Sequence, residues 1–411
     1  MTPLDEALAE ILGSFRALPD PEEVPLGESL GRVLAREVNA SVDQPATDTS
    51  AMDGWAVRFG SAEDSWRVAP GESRAGGPSP SPLAPGMALR IFTGAVLPEG
   101  ADTVVLQEDT ERDGDTVRFT DAPRLGRHVR PRASDVAVGD RLLDAGRTLD
   151  PGAIALLASQ GHSKVSVARR PRVAIIPTGD ELKAPGEALE PGAIVDSNGP
   201  MLEALVRQAG ALPDRRPAVG DDLDALTEAF RSALLESDLL LTTGGVSVGD
   251  HDHVKAALER AGVTLAVWKV AVKPGKPLAF GRDDSGTPVL GLPGNPVSAL
   301  ATFTVFAAPA IRRLLGDPRP SPTRLRARLD GPIRHRPGRT ELSRATLRRE
   351  ADEWVATPHR NQGSGALVAI GQSNALVVVP ASSTGLEAGA EVEVLPLGSL
   401  PGEPYDHPLD T

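Results

Sequence analysis

The sequence contains no cysteine, which excludes disulfide bonds, thiolate metal sites and a cysteine nucleophile. Aromatic residues make up only 3% of the chain, which argues against the stacking platforms that bind single-stranded nucleic acid. A net charge of -13 disfavours attraction to nucleic acid or to an anionic membrane. No apolar run approaches the roughly 18 residues of a membrane span, and the acidic stretch "MTPLDEALAEILGSF" does not resemble a signal peptide. We therefore expect a cytoplasmic protein.

Lysine is also scarce. The chain has 43 basic residues, of which six are lysines, and three of these fall in the stretch "KVAVKPGK": Lys269, Lys273 and Lys276. Lysine is a compact point charge suited to phosphate. A solvated strand edge would explain the cluster without any ligand, but the lysine-poor background favours a binding role. We expect Lys269 and Lys273 to share one face of a strand, with Lys276 beyond the turn.

The pattern along the chain divides it into parts. Residues 3–18 and 150–160 have helical periodicity, and 29–37 predicts a further short helix. From about residue 42, short apolar runs alternate with Gly/Pro-rich turns, which is typical of strands. From 172, buried strands alternate with helices, which predicts a mostly parallel, doubly wound sheet. We expect a multidomain α/β plus β fold made of a helical region (1–41 and 146–171), an inserted β-rich domain (42–145), a doubly wound α/β domain (172–318) and a C-terminal β-rich domain (319–411).

The loops richest in polar residues and glycine follow three strands of the α/β part: "PTGDEL", "TTGGVSVGDHD" and "GLPGNP". Doubly wound sheets bind ligands at the carboxyl ends of their strands. Glycines allow close backbone approach, and the N–H groups at a helix start suit an oxyanion. A capped turn explains any one loop, but several on one sheet favour a binding site. The candidate residues are Thr178, Gly179, Glu181, Gly244, Gly245, Ser247, Gly249, Asp252, Pro293, Gly294, Asn295 and Pro296.

The β-rich part contributes three further polar stretches. They are "TSAMDGWAV" with Asp53, "RIFTGAVLPEGAD" with Thr93, and "VRPRASDVAVGD" with Asp135. Taken alone, each residue is explained as a turn aspartate or a hydrogen-bonded threonine.

In combination these motifs are specific. The stretches "SAMDGWA", "IFTGA", "PTGDEL", "TTGGVSVGDHD", "VKPGKPLAFG" and "GLPGNPVSA", in this order, closely resemble the MoeA-type molybdopterin molybdenumtransferases, the family that includes the gephyrin E domain. The resemblance covers nearly the whole chain. The chain departs from the commoner family pattern at Trp55, where tyrosine is frequent, and at "GDHD", but neither departure removes an acid.

The resemblance implies an enzyme that is a homodimer, with 1–41 and 146–171 as its dimerisation region and a doubly wound domain of molybdopterin-binding type. The implied reaction is the insertion of molybdate into adenylated molybdopterin, with release of AMP and formation of molybdenum cofactor. Mg²⁺ is the implied divalent cation. A molybdopterin adenylyltransferase and acceptor molybdoenzymes are the implied partners. Two alternatives stay open, a molybdopterin adenylyltransferase and a non-catalytic scaffold of the gephyrin E-domain type.

The family's functional residues map onto this chain position by position. The resemblance implies a catalytic set consisting of Asp53, Thr93, Asp135, Glu181, Asp221 and Asp252, of which Asp221, Asp252 and Glu181 are expected around the metal. It implies that Lys269, Lys273, Pro293, Pro296, Arg339 and Ser364 contact substrate, and we add Lys276 and the loop residues named above. Asp250 is expected to cap the following helix.

The zone 312–349 contains twelve arginines against three acids. It is interpreted as attracting a polyanion or, for most of its members, as a solvated β surface.

Overall fold

The computed structural model describes residues 1–62, 65–245 and 253–398. The chain divides into two compact units. The first comprises Met1–Ala35, Gly146–Leu149 and Val165–Thr411, and the second comprises Arg36–Ala145 and Asp150–Lys164. The four-part division with its boundaries remains a prediction.

Most of the helices lie in the first unit. In chain order the α-helices of the described residues are α1 (Leu4–Ser14), α2 (Pro151–Ser159), α3 (Asn198–Gln208), α4 (Leu223–Glu236), α5 (His253–Arg260), α6 (Pro296–Thr302), α7 (Ala308–Leu314) and α8 (Leu367–Gly371). The helices predicted at 3–18 and 150–160 are therefore confirmed, the first of them shorter than expected. The Asp150 side chain accepts from the N–H of Ala153 and so caps α2.

The strands are short and numerous. In the first half of the chain they are β1 (Pro21–Pro25), β2 (Val38–Asn39), β3 (Thr49–Ser50), β4 (Gly54–Val57), β5 (Trp66–Ser73), β6 (Met87–Ile91), β7 (Thr103–Leu106), β8 (Thr110–Asp113), β9 (Thr116–Phe119), β10 (Val129–Arg130), β11 (Arg141–Leu143), β12 (Lys164–Ala168), β13 (Arg172–Pro177), β14 (Leu182–Lys183) and β15 (Ile194–Val195). The remainder are β16 (Leu212–Arg215), β17 (Leu239–Thr243), β18 (Thr264–Lys269), β19 (Val272–Lys273), β20 (Pro277–Arg282), β21 (Pro288–Leu292), β22 (Leu325–Leu329), β23 (Ile333–Arg334), β24 (Thr340–Glu350), β25 (Glu353–Pro358), β26 (Ala375–Val379), β27 (Gly385–Leu386) and β28 (Glu391–Pro396).

The helix predicted at 29–37 is wrong. Only a single 3₁₀ turn, Leu26–Glu28, precedes it. Gly31 then adopts a φ of 73°, a left-handed conformation that ends helical propagation. Val33 and Leu34 bridge to Thr148 and Val167 as extended chain. The apolar residues that suggested a helix face therefore belong to bridged extended segments.

The second unit is built on a six-stranded sheet with the order β7-β4-β6-β5-β9-β8. Its pairs are antiparallel except for β5 with β6. Trp55 and Val57 face one core with Trp66, whereas Ala56 faces a second core with Ile91. Because successive strand residues point to opposite faces, this short strand contributes to both cores.

The first unit contains a six-stranded, mostly parallel sheet with the order β16-β13-β17-β21-β20-β18. Strands β16, β13, β17 and β21 are parallel, and β20 and β18 are antiparallel additions. In β13, Val173 and Ile175 face a core shared with α1, α3 and α7, while Ala174 and Ile176 face one shared with α4 and α5. Helices thus cover both faces, which confirms the doubly wound arrangement and directs the strand ends to one edge.

A second sheet of this unit closes on itself. Its order is β19-β24-β25-β22-β28-β26, and β24 pairs again with β26. Ala345, Val377 and Val394 fill its interior. Because β24, β25, β22, β28 and β26 form a closed ring, none of them is an edge strand of this sheet. The two-residue strand β19 pairs in parallel with the first residues of β24.

The helical run Pro296–Leu314 packs under the doubly wound sheet. It consists of α6, a π turn at Phe303–Ala307 and α7. By length and composition it is the one described helix that could cross a membrane, but 78% of its apolar window is buried inside the protein, as in a core helix. Pro296 occupies the first turn, and Asn295 occupies the N-cap position without a capping hydrogen bond from its side chain.

Candidate functional site

Three strand-end loops meet at one edge of the doubly wound sheet with their backbones in close contact. The Thr178 N–H donates to Thr243 O at 2.8 Å, joining the ends of β13 and β17. Gly244 has a φ of 101°, and a Cβ there would collide with the backbone oxygen of Thr178. A Cβ on Gly294, after β21, would lie 3.3 Å from the Cα of Gly244. The glycines are therefore required by backbone packing, and they leave an edge lined by main-chain groups.

Asn198, at the start of α3, ties two of these loops together and was missed by the sequence analysis. Its side chain is buried, and Nδ2 donates to Thr243 Oγ1 at 3.0 Å and to Gly294 O at 2.7 Å. The Thr243 hydroxyl donates in turn to Pro293 O at 3.1 Å. The stretch "DSNGP" resembles an ordinary helix start, so only the tertiary contacts reveal this role.

The acidic side of the site lies on the loops after β13 and before α4. Asp180 Oδ1 accepts from the N–H of Asp221 at 2.9 Å, which joins the two loops. The Glu181 carboxylate lies over Gly179, where a Cβ would collide with it. Glu181 and Asp221 are both exposed. The structure therefore brings two predicted acids onto adjoining loops, and Asp180 is a further acid that the sequence analysis did not single out as functional.

The predicted arrangement of the lysines is wrong. Lys269 ends β18 of the doubly wound sheet, whereas Lys273 lies in β19, which belongs to the closed sheet. The chain crosses from one sheet to the other between them. At the crossing, the Val270 N–H donates to Lys276 O and the Ala271 N–H donates to Thr2 O. The two lysines therefore do not share one face of a strand. Lys276 lies in the returning turn before β20, where it is exposed.

Lys273 instead pairs with a buried acid that the sequence analysis did not select. Parallel pairing of β19 with β24 sets Lys273 beside Glu341. The Lys273 Nζ lies 3.0 Å from both Glu341 oxygens. On its other side, Glu341 Oε2 lies 2.7 Å from Nδ1 of His335. The lysine is therefore held in place by a carboxylate that has a second partner.

A basic cavity of about 370 Å³ opens around Lys273. Its other lining residues are Arg334, His335, Arg336 and Arg339. None of these three arginines forms an ion pair with an acid in the described part of the chain. Four cationic side chains around one cavity form a site suited to an anion. Arg339 was predicted to contact substrate, while Arg334 and Arg336 had been noted only as members of the arginine-rich zone.

Ser364 contacts the start of α6, next to the strand-end loop after β21, through its backbone. Ser364 O accepts from the N–H of Val297, the second residue of α6, at 3.2 Å. Gln362 accepts from the Arg344 N–H at 3.0 Å and so fixes the loop to β24. Arg344 is fully buried, and Nη2 donates to Asn361 O at 2.8 Å. Burial lowers the pKa of Arg344, and the neighbouring Glu341 carboxylate opposes that shift.

Other arginines of the 312–349 zone are structural. They pair with acids across the outside of the closed sheet, in the pairs Arg324–Glu393 (2.8 Å), Arg326–Glu391 (2.6 Å), Arg328–Glu353 (2.7 Å) and Arg348–Asp330 (2.9 Å). Each pair is exposed, so solvent screening leaves it little effect on stability. These paired arginines lie apart from Arg334, Arg336 and Arg339, which line the basic cavity.

Asp53 and Thr93 lie together in the second unit. Asp53 Oδ1 accepts from both the N–H and the hydroxyl of Thr93, each at 2.8 Å. Asp135 lies between β10 and β11 of the same unit, where its N–H donates to Gln44 O at 3.0 Å. Ser247, Gly249, Asp250 and Asp252 lie outside the described residues, so their predicted roles stay predictions.

Family models match almost the full length of the chain. The MoeA N-terminal region (domains I and II) matches residues 2–161, a probable molybdopterin binding domain matches 174–313, and the MoeA C-terminal region (domain IV) matches 326–397. Curated relatives named molybdopterin molybdenumtransferase include one from Nostoc sp., 40% identical over 92% of this chain and 89% of its own length. Another, from Haemophilus influenzae, is 34% identical over 98% of this chain and 100% of its own.

A solved structure extends the agreement to three dimensions. The molybdopterin biosynthesis MoeA protein from Pyrococcus horikoshii OT3 is 30% identical, with a TM-score of 0.84, over 96% of this chain and 100% of that one. The resemblance and the fold class predicted from the motifs are therefore confirmed. The chain belongs to the MoeA family of molybdopterin molybdenumtransferases.

Proposed function

We propose that this chain inserts molybdate into adenylated molybdopterin, releasing AMP and forming molybdenum cofactor. The observation that carries the proposal is the basic cavity around Lys273 and Arg339, in the unit that also carries the glycine-lined strand ends. The relatives' name, molybdopterin molybdenumtransferase, supports insertion over the adenylyltransferase and scaffold alternatives.

The charges of the proposed substrates explain why such a cavity is needed. Adenylated molybdopterin carries phosphate groups, and molybdate is itself a dianion. Two unit charges 4 Å apart interact by about 4 kcal/mol at an effective dielectric of about 20, so bringing these anions together is costly. Arginine and lysine side chains offset that repulsion, and main-chain N–H groups at the strand ends add donors without adding bulk. We assign the cavity to molybdate and the strand-end loops to the adenylated pterin.

We also propose a Mg²⁺ site beside Glu181 and Asp221. No group of three or more His, Asp or Glu side chains arranged for a metal exists within the described ranges, and Asp252, the third predicted ligand, lies outside them. Two exposed carboxylates on adjoining loops nevertheless fit Mg²⁺, which takes one or two carboxylates and completes its shell with waters and phosphate oxygens. When bound, the ion would neutralise phosphate charge and polarise the scissile phosphoryl group.

The chain's own residues then have distinct tasks in this proposal. The Lys273 amine and the Arg339 guanidinium bind and orient the oxyanion. The main chain at Gly244 and Gly294 admits the substrate closely, because neither position has a side chain to exclude it. Asp53, held ionised by Thr93, and Asp135 are assigned to the same reaction from the second unit.

A homodimer in the cytoplasm, with 1–41 and 146–171 as its dimerisation region, completes the proposal. We propose further that each active site draws residues from both subunits. Mixing two inactive variants, Asp53→Ala and Asp221→Ala, tests this point. Partial recovery of activity in mixed dimers supports shared sites, and no recovery despite measured subunit exchange contradicts them.

The main experiment uses the purified full-length chain with adenylated molybdopterin, molybdate and Mg²⁺. We expect AMP release coupled to cofactor formation, and a large loss in Lys273→Ala and Arg339→Ala. Arg326→Ala is the matched control, because Arg326 belongs to the same arginine-rich zone but pairs with Glu391 on the outer surface. Adenylate formation from ATP would point to the adenylyltransferase alternative, and the absence of either reaction would point to a scaffold.

A further inference from the structure

His335 is the least expected member of the basic cavity. Its side chain is only 1% exposed, although the residue lies between two exposed arginines in the cavity lining. A carboxylate has no proton to donate, so the ring nitrogen facing Glu341 must be the donor, and Nδ1 carries the hydrogen. The other ring nitrogen, Nε2, has no partner among the described residues. The contact with Glu341 is therefore the one that fixes this ring.

Glu341 is positioned to transmit that constraint to the lysine. Its side chain is 5% exposed, so its charge depends on protein partners rather than on water. Oε2 is shared between His335 Nδ1 at 2.7 Å and Lys273 Nζ at 3.0 Å, while Oε1 serves the lysine alone. If the histidine were removed, Oε2 would lose its shortest contact, and the carboxylate would be free to turn.

Without its contacts to Glu341, the Lys273 side chain would be free to change rotamer. Its side chain is 45% exposed, and a lysine stem has several rotatable bonds. The ammonium has three donors, and two of them are directed to the two oxygens of Glu341. The direction of the third donor therefore follows from where the carboxylate stands, and the carboxylate's position follows from His335.

We propose that His335 is a positioning residue for oxyanion binding, which acts through Glu341 to hold the Lys273 amine in place. The inference rests on the proposed function, because it takes the basic cavity to be an oxyanion site. His335 touches neither the oxyanion nor the reacting atoms in this proposal. It sets affinity by keeping one donor of Lys273 directed away from Glu341.

The first experiment measures binding of inorganic molybdate to the full-length chain by calorimetry, for three His335 variants. His335→Leu removes the donor, and we expect affinity to fall about tenfold, the effect of losing one hydrogen bond to a charged group. His335→Asn places an amide N–H close to the position of Nδ1 and should stay within about threefold of the parent. His335→Gln carries its amide one bond further out, so it serves as the polar control and should bind as weakly as the leucine variant.

Steady-state kinetics provide a second readout that loss of fold alone would not give. We expect KM for molybdate to rise in His335→Leu while kcat changes by less than about twofold, because the lost interaction orients the bound ground state and transition state alike. A fall in kcat with unchanged KM would overturn the proposal. Should the leucine variant unfold, the comparison of His335→Asn with His335→Gln gives the same test between two polar side chains.

A double-mutant cycle tests whether His335 acts through Glu341. Once Glu341→Leu has removed the carboxylate, adding His335→Leu should cost no further affinity, so the two changes should be strongly non-additive. Additive losses would mean that the histidine acts independently of the glutamate, and the proposal would fall.

Two reference variants separate this proposal from the proposed function. If Lys273→Ala and Arg339→Ala bind molybdate as tightly as the parent, the cavity is not the oxyanion site and both proposals fail. If those variants lose binding while His335→Leu does not, only the positioning role of His335 is wrong.

Discussion

The Asp53 carboxylate accepts two hydrogen bonds from Thr93 at a single oxygen, one from the backbone N–H and one from the hydroxyl, each of 2.8 Å. The contact follows from strand register, because antiparallel pairing sets Gly54 opposite Ile91 and so brings the flanking residues together. The Thr93 N–H, then its hydroxyl, and more weakly the charge of Arg90, lower the pKa of Asp53. An exposed carboxylate is thereby kept ionised.

We predict that Thr93→Val raises the pKa of Asp53 towards its ordinary value, because the hydroxyl is lost and the N–H remains. A depressed folded-state pKa contributes stability that is present above the unfolded pKa and is lost as pH falls through the folded pKa. In the variant this loss should therefore begin at a higher pH. Carboxyl-detected NMR titration measures the pKa directly, with Thr93→Ser as the control that keeps both donors. An unchanged pKa in Thr93→Val would contradict the prediction.

Asp238 clamps the beginnings of two central strands. Its oxygens accept two hydrogen bonds of 2.8 Å from Arg169 and one of 2.7 Å from the Arg172 N–H. We predict that Asp238→Asn lowers the free energy of unfolding by about 2 kcal/mol, since hydrogen bonds to charged groups contribute roughly 1.5–3 kcal/mol. Urea unfolding at neutral pH measures this loss. Asp224→Asn is the control, because its pair with Arg260 is exposed and should change stability by less than about 0.5 kcal/mol.

The same pair predicts a pH dependence. Burial acts to raise the pKa of Asp238, but Arg169 and the Arg172 N–H outweigh it, so the pKa is lowered. The stability difference between the parent and Asp238→Asn should be fully present above the unfolded pKa of aspartate and shrink as pH falls through the folded pKa. A difference that stays constant across this acid range would show that packing, rather than charge, accounts for the loss.

The doubly wound sheet and its strand-end loops could be predicted because both follow from local patterns. Buried strands that alternate with helices allow few arrangements, and their carboxyl ends meet at one edge. The partner of Lys273 could not be predicted in this way. Glu341 is 68 residues further along the chain, and the two meet only because β19 leaves one sheet and joins another. Lys273 of the lysine-rich stretch lines the basic cavity, but alternation along the stretch wrongly predicted a single strand.

Gly244 provides a test of the strand-end geometry. We predict that Gly244→Ala costs at least about 1–2 kcal/mol in stability, because φ is 101° and the new Cβ collides with Thr178. Displacement of the loop should also lower activity on the order of a hundredfold. Gly13→Ala is the matched control. Gly13 lies within α1 with nothing within 4 Å of its added Cβ, so alanine there should stabilise the protein by up to about 1 kcal/mol. Comparable stability of Gly244→Ala and the parent would contradict the role given to this glycine.

Asn198 gives the sharpest test of how the loops are held. Its amide donates to Thr243 Oγ1 and Gly294 O, so Asn198→Ala leaves one buried and one partly buried acceptor without this partner. We predict a loss of about 2 kcal/mol in the free energy of unfolding, within the 1–3 kcal/mol range for such groups. Asn198→Asp should be worse than alanine above the carboxylate's pKa, because a buried carboxylate cannot donate to Gly294 O and meets its lone pairs instead. Urea unfolding of both variants, with exposed Asn39→Ala as the control, measures the order. If aspartate were tolerated better than alanine, the amide would not be the donor that joins β17 to the Pro293–Gly294 loop.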